Sequence, residues 1–161
     1  LCELVRSVKP KTVVEFGINA GRTAKALLRE VDGIEKYVGI DVLPGYVTDK
    51  KVQRKEVPLI AGEYVLGDPR VELIVTNEGS YGIKELPPCD AVFIDGDHGR
   101  KGVENDSDLA YAAVRKGGII IWHDYHDLGT VDVRDVLHDF RKQNRNIIHV
   151  DGTWLAFERI S

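Results

Sequence analysis

Apolar residues along this chain switch repeatedly between two periods. Leu1, Leu4, Val5 and Val8 recur at i, i+3, i+4 and i+7, which predicts an amphipathic helix stopped by Pro10. Thr12 to Phe16 is a short β-rich run ending at Gly17, after which Ala24, Leu27, Leu28 and Val31 return to helical spacing within Thr23–Val31. That is strand, glycine turn, helix. Tyr37–Val42, Val71–Thr76, Ala91–Ile94 and Gly118–Trp122 predict four further buried strands. Val103–Val114 predicts a helix, with Lys116-Gly117-Gly118 as its stop, and Val133, Val136, Leu137 and Phe140 mark another. The tail, Asn146 to Glu158, reads as a hairpin turned at Asp151-Gly152. Strands alternating with helices predict an α/β, doubly wound (Rossmann-like), mostly parallel seven-stranded sheet with helices on both faces and an antiparallel hairpin at its end.

Composition narrows the class. A chain of 161 residues that is 43% hydrophobic and 30% charged is the size of one globular domain, 1–161. A net charge of -4 gives no basic field, so nucleic acid is not an expected partner. Cys2 and Cys89 are far apart and form neither a disulfide framework nor a zinc motif, which makes a reducing, cytoplasmic setting the default. No apolar run reaches the roughly 18 residues of a membrane span, and no signal-peptide pattern opens the chain. Methionine is absent, so residues upstream of Leu1 are expected to be missing from this sequence.

In such sheets ligands bind beyond the carboxyl ends of the strands, where strand order reverses. Four of those ends are polar here. Glu15-Phe16-Gly17-Ile18-Asn19-Ala20-Gly21-Arg22-Thr23 follows the first strand, and its glycines permit a tight turn and close approach of a ligand to the backbone. Asp41 ends the second strand, where an acid can accept both hydroxyls of an adenosine ribose. Ile94-Asp95-Gly96-Asp97-His98 packs three ionisable groups into the turn after the fourth strand and faces His123-Asp124 after the fifth. Neighbouring strands lie about 4.8 Å apart, so Asp95 and Asp124 can share one cation while His98 takes a proton from a substrate hydroxyl. The bland alternative is that the acids cap turns and His98 rests on the surface.

The segments VVEFGINAGRTAKALL, YVGIDV, CDAVFIDGDH and RKGGIIIWHDY, in this order and spacing, resemble class I S-adenosylmethionine methyltransferases over nearly the whole chain. The Gly17–Gly21 spacing, with Asn19 where the usual pattern has a third glycine and with Thr23 following, is similar to the metal-dependent small-molecule and sugar O-methyltransferase branch. The resemblance implies that Glu15, Gly17, Asn19 and Gly21 surround the methionine part of S-adenosylmethionine. It places Asp41 and Val42 at the ribose, and Glu78, Gly79 and Ser80 near the adenine. Asp95 would border the cofactor and, with His123 and Asp124, hold a divalent metal. Magnesium is the metal of the similar enzymes. His123 stands where they more often carry an acid, and His126 and Asp127 lie nearby, which opens manganese, iron, zinc or no metal. The expected reaction is O-methylation of a small hydroxylated molecule, with a homodimer as the default assembly. A nicotinamide-dependent oxidoreductase shares the glycine loop, but the IDGDH segment and the terminal hairpin favour the methyltransferase. A cofactor-binding module without turnover is the third reading.

Residues 43–70 lose periodicity and read as a cover over the cofactor pocket, with Lys50, Lys51, Arg54 and Lys55 as a solvated basic run. Tyr46 and Lys50 match the spacing of a dehydrogenase pair by chance, since they follow the wrong strand. Pro87-Pro88 precedes the fourth strand, not follows it, which disfavours amide methylation.

Overall fold

The computed structural model describes residues 1–44 and 59–161. The elements run α1 (Cys2–Arg6), β1 (Thr12–Phe16), α2 (Arg22–Glu30), β2 (Lys36–Val42), β3 (Val71–Thr76), β4 (Cys89–Ile94), α3 (Arg100–Ala113), β5 (Val114–Trp122), α4 (Val133–Lys142), β6 (Ile148–His149) and β7 (Ala156–Arg159), with short 3-10 turns at Glu63–Val65 and Gly79–Gly82. They build one seven-stranded sheet in the order β3-β2-β1-β4-β5-β7-β6. The first five strands are parallel, and β7 pairs antiparallel to both β5 and β6. The doubly wound fold is therefore present, and the terminal hairpin joins it through its second arm.

Period two along the strands feeds two apolar layers. Val14, Phe16, Val38, Ile40, Val92 and Ile94 face α3 and α4, while Val13, Tyr37, Ala91, Phe93, Ile119 and Ile121 face α1 and α2. Both faces of each central strand are buried because a helix layer covers each. Among the described residues, no helix is long and apolar enough to cross a membrane. Trp122 lies fully buried at the end of β5. Its indole N–H donates to Ser107 Oγ at 3.0 Å, and Ser107 donates to the Val103 carbonyl at 2.6 Å, so the one polar atom of the ring is satisfied.

Two boundaries depart from the sequence pattern. Helix α3 ends at Ala113, and Val114 already pairs with Cys89 in β5, so Lys116-Gly117-Gly118 is a bulge inside the strand and not a helix stop. Gly117 takes φ 84°, and a Cβ on Gly118 would stand 2.7 Å from the Asp90 carbonyl oxygen. The hairpin turn is also longer than a two-residue Asp-Gly turn. Val150 N–H donates to the Leu155 carbonyl and Thr153 N–H to the Val150 carbonyl, which leaves residues 151–154 as the loop. A type I′ turn needs positive φ at both central residues, and only Gly152 (φ 71°) has it.

The register sets the site. Phe16 pairs with both Ile40 and Ile94, and Ile94 pairs with Trp122. The next residues, Gly17, Asp41, Asp95 and His123, consequently emerge along one edge. The order in which strands are added reverses between β1 and β4, so the switch point lies there.

Candidate cofactor pocket and cation site

The loop after β1 is shaped by glycine. Gly17 has φ 81°, and a Cβ there would lie 2.0 Å from the Asp95 carbonyl oxygen, so the loops after β1 and β4 touch backbone to backbone. Gly17 N–H and Ile18 N–H both donate to the Ile40 carbonyl, at 2.8 and 3.1 Å. Asn19 occupies the left-handed region at φ 49°, which asparagine tolerates better than most residues and which explains how it stands in for glycine. Asn19 N–H donates to Asp41 Oδ2 at 2.6 Å, and Val42 N–H donates to Asp41 Oδ1 at 2.7 Å. Two backbone donors thus fix the plane of the Asp41 carboxylate. Gly21 begins α2 at φ 84° with Gly62 packed against it, and Gly62 and Tyr64 donate their N–H groups to the Asn19 and Ala20 carbonyls. Within the predicted cover, residues 62–65 therefore lie on the glycine loop. The basic run and the Tyr46–Lys50 pair lie outside the described residues.

A cleft at the switch point is bounded by Gly17, Asp41, Val42, Glu78, Gly79 and Ser80, all foreseen from the sequence. Phe16, Ile40, Tyr81, Gly96, Asp97 and Asp106 complete it. Asp106 was missed. It sits on α3, 2% exposed, and accepts a hydrogen bond from the Ser80 hydroxyl. The signal was available: an acid at the apolar spacing of Val103, Ala110 and Ala113 is a charge on a buried helix face. Glu15 behaves differently from the other loop residues. It is 1% exposed and accepts a 2.8 Å hydrogen bond from the Tyr37 hydroxyl on the α1–α2 side of the sheet. Burial pushes its carboxyl well above the ordinary value despite that bond.

Beside this cleft the ends of β4 and β5 bring four ionisable side chains together. His98 Nε2 lies 2.9 Å from Asp124 Oδ2 and 3.5 Å from Asp95 Oδ1. His123 Nδ1 lies 3.4 Å from Asp95 Oδ1 and 3.3 Å from Asp124 Oδ1. Both ring nitrogens are buried, yet neither makes a hydrogen bond, because neither has the N–H direction that the distances alone would allow. Asp124 holds its carboxylate there from a left-handed backbone, φ 56°, a conformation that aspartate, like asparagine, adopts more readily than most residues. His126 Nε2 approaches Asp124 Oδ1 at 3.5 Å while its Nδ1 accepts the Leu128 N–H at 3.2 Å, so His126 supports Asp124 from behind. Asp127 points away and pairs with Arg134 at 3.0 Å.

The residues fit a cation. Asp95, His98 and Asp124 each offer a ligand atom within 4.8 Å of the others. Ligands about 2.1 Å from a shared metal stand roughly 3 Å apart, and the separations of 2.9 to 3.5 Å match. Without a cation the carboxylates fall to the imidazoles. Burial alone would lower His98, but Asp124 and then Asp95 raise it to about 9. Asp124 and then Asp95 raise His123 to about 10. Burial pushes Asp95 and Asp124 up, and the two histidines outweigh it, holding both carboxyls below their usual range.

A doubly wound sheet with a glycine loop after β1, an acid ending β2 and a cleft at the switch point defines a Rossmann-like domain. Comparison with known proteins narrows it. The family model described as a methyltransferase domain matches residues 14–125. An uncharacterised protein of Acanthamoeba polyphaga mimivirus is 32% identical over 119 residues, covering 72% of this chain and 52% of the viral protein, so this chain spans about half the length of that relative. Among solved structures, the SAH-bound Podospora anserina methyltransferase PaMTH1 superposes with a TM-score of 0.70 at 16% identity, over 99% of this chain and 76% of its own. The O-methyltransferase NovP gives 0.72 at 17%, over 99% and 78%. Spermidine synthase from Thermotoga maritima gives 0.58 at 18%, over 98% and 55%. These structures share the fold. The chain belongs to the methyltransferase-domain family, within the class I S-adenosylmethionine-dependent methyltransferases.

Proposed function

We propose that this domain transfers a methyl group to a hydroxyl of a small molecule, with a divalent cation held between Asp95, Asp124 and an imidazole. The observation that carries the reading is the pair of buried, unbonded ring nitrogens converging on two carboxylates at the ends of β4 and β5, next to the loop that lines the cleft. S-adenosylmethionine supplies an activated methyl group when bound, and a cation lowers the pKa of an acceptor hydroxyl and orients it. The chain's own part is positioning. Gly17 and Asn19 let the backbone approach the cofactor, Asp41 receives its ribose, and the Ser80–Asp106 pair sits where the base would lie.

The two imidazoles divide the remaining work. His98 Nε2 makes the closest approach to a carboxylate and groups with Asp95 and Asp124 as a ligand, whereas His123 with Asp95 lines a separate cleft suited to the acceptor. This favours His98 on the cation and His123 on the acceptor's proton. Neither imidazole can take a proton near neutrality while it is charged by the carboxylates, so cation binding is a condition for base catalysis. The reading with His98 as general base makes a separable claim. It predicts that His98→Ala lowers turnover by about 10² to 10⁴ with Mn²⁺ affinity intact, whereas the ligand role predicts that Mn²⁺ affinity itself falls.

The test is transfer of labelled methyl from S-adenosylmethionine to a panel of hydroxylated acceptors, with EDTA and then with Mg²⁺ or Mn²⁺ restored. Activity that vanishes in chelator and returns with metal is expected. Full activity in EDTA would remove the cation from the account.

A further inference from the structure

On the α1–α2 side of the site a second cleft, of about 480 Å³, opens onto Asp95 and His123 between Leu1, Phe93, Trp154 and Leu155. A volume of that size suits a one- or two-ring molecule. Trp154 is 49% exposed, yet it is held in place. It stands in the loop of the β6–β7 hairpin, where its carbonyl accepts the Tyr125 N–H at 2.9 Å. Its indole packs on the His126 ring, centroids 4.6 Å apart, and meets the His123 ring at 6.2 Å in a T-shaped contact. Phe93 meets His123 from another side, also at 6.2 Å and T-shaped. A half-exposed indole fixed by two site histidines is a prepared surface.

We infer that Trp154 is the platform of the acceptor site and that the acceptor presents a planar aromatic ring with a hydroxyl, as a phenol does, and not a polyhydroxylated sugar. This rests on the proposed methyl transfer and names its substrate class. Among the described residues, the polar side chains of the cleft apart from Asp95, His123 and the Trp154 indole are Thr23 and Thr153. Thr153 is already engaged, donating its hydroxyl to the Val150 carbonyl at 2.7 Å and accepting the Leu155 N–H at 3.1 Å. Among the described residues, the Thr23 hydroxyl and the Trp154 indole N–H cannot match the several hydroxyls of a hexose, and each one left unpaired on burial weakens binding. An aromatic ring asks for none. Its faces are met by Trp154, Phe93 and the leucines, and its single hydroxyl is directed to Asp95 and His123, where the chemistry is proposed.

The experiment is calorimetry on the chain. S-adenosylhomocysteine and Mn²⁺ are titrated first, then 2-naphthol or methyl α-glucoside into the loaded protein. Binding of 2-naphthol without measurable binding of the glucoside is expected. Trp154→Ala should weaken 2-naphthol about tenfold and Trp154→Phe by less than about threefold, with S-adenosylhomocysteine affinity unchanged in both. Glucoside binding as tight as 2-naphthol, or an unaltered 2-naphthol affinity in Trp154→Ala, overturns the inference while leaving methyl transfer standing. Failure of S-adenosylhomocysteine to bind the native chain overturns both.

Discussion

Asp41 shows how much of a binding residue is prepared before any ligand arrives. Two backbone N–H groups, of Asn19 and Val42, hold its carboxylate at 2.6 and 2.7 Å, so its orientation is set by the loops after β1 and β2 together. Asp41→Ala should weaken S-adenosylhomocysteine by about 2 to 4 kcal/mol, because charge-assisted bonds to two hydroxyls are lost. Calorimetry giving native affinity in the variant would take Asp41 out of the site. The histidines make a prediction about pH in the metal-free protein. Both His98 and His123 are raised above the ordinary 6.5, to about 9 and about 10, so their pairing stabilises the fold fully below about pH 6.5 and is lost as pH rises through 9 to 10. Asp95 and Asp124 are held low, so their side of the gain exists above the ordinary 3.8 and goes as acid protonates them. Urea midpoints in EDTA should therefore fall between pH 7 and pH 10, and the fall should flatten in His98→Gln with His123→Gln. A midpoint that does not change with pH would contradict the pairing. Asp41, Asp95 and Asp124 were legible because an acid at a strand's carboxyl end is unusual next to an apolar run. Asp106 could be read as an acid on the apolar face of α3, but its pairing with Ser80 could not, because the two are remote in sequence and only the fold joins them.

At the level of elements, β1 and β3 run over the residues that the apolar pattern marked, since each is a short β-branched and apolar run broken by a single acid, Glu15 or Glu72. Where glycine had two uses, the pattern misled. Gly117-Gly118 looked like a helix stop, but backbone contact with Asp90 and hydrogen bonds to Ile160, just past β7, place them inside β5. The hairpin was legible as a hairpin, whereas its loop length depended on a Thr153 side chain bonding to its own turn, which no two-residue signature records. That longer loop is what carries Trp154 to the site. The contact between α3 and β5 is testable by itself: Ser107→Ala leaves the buried Trp122 N–H without an acceptor and should cost about 1 to 3 kcal/mol in urea unfolding. A stability equal to native would mean that another group or water satisfies the indole.

Across the whole molecule, the sheet order alone decides which loops meet. Reversal between β1 and β4 brings residues 17, 41, 95 and 123 to one edge although they are scattered along the chain. The sequence named these residues and set 95 beside 123, while the distances among His98, His123, Asp95 and Asp124 come only from the fold. Spermidine synthase shares this architecture, so the fold alone does not name the acceptor. The central claim is that those side chains hold a divalent cation beside the cofactor. Mn²⁺ titrated into the S-adenosylhomocysteine complex tests it most directly. One ion per chain is expected in the native protein, with binding lost in Asp124→Asn while S-adenosylhomocysteine affinity is kept; no Mn²⁺ binding in the native chain, or equal binding in Asp124→Asn, would contradict the account.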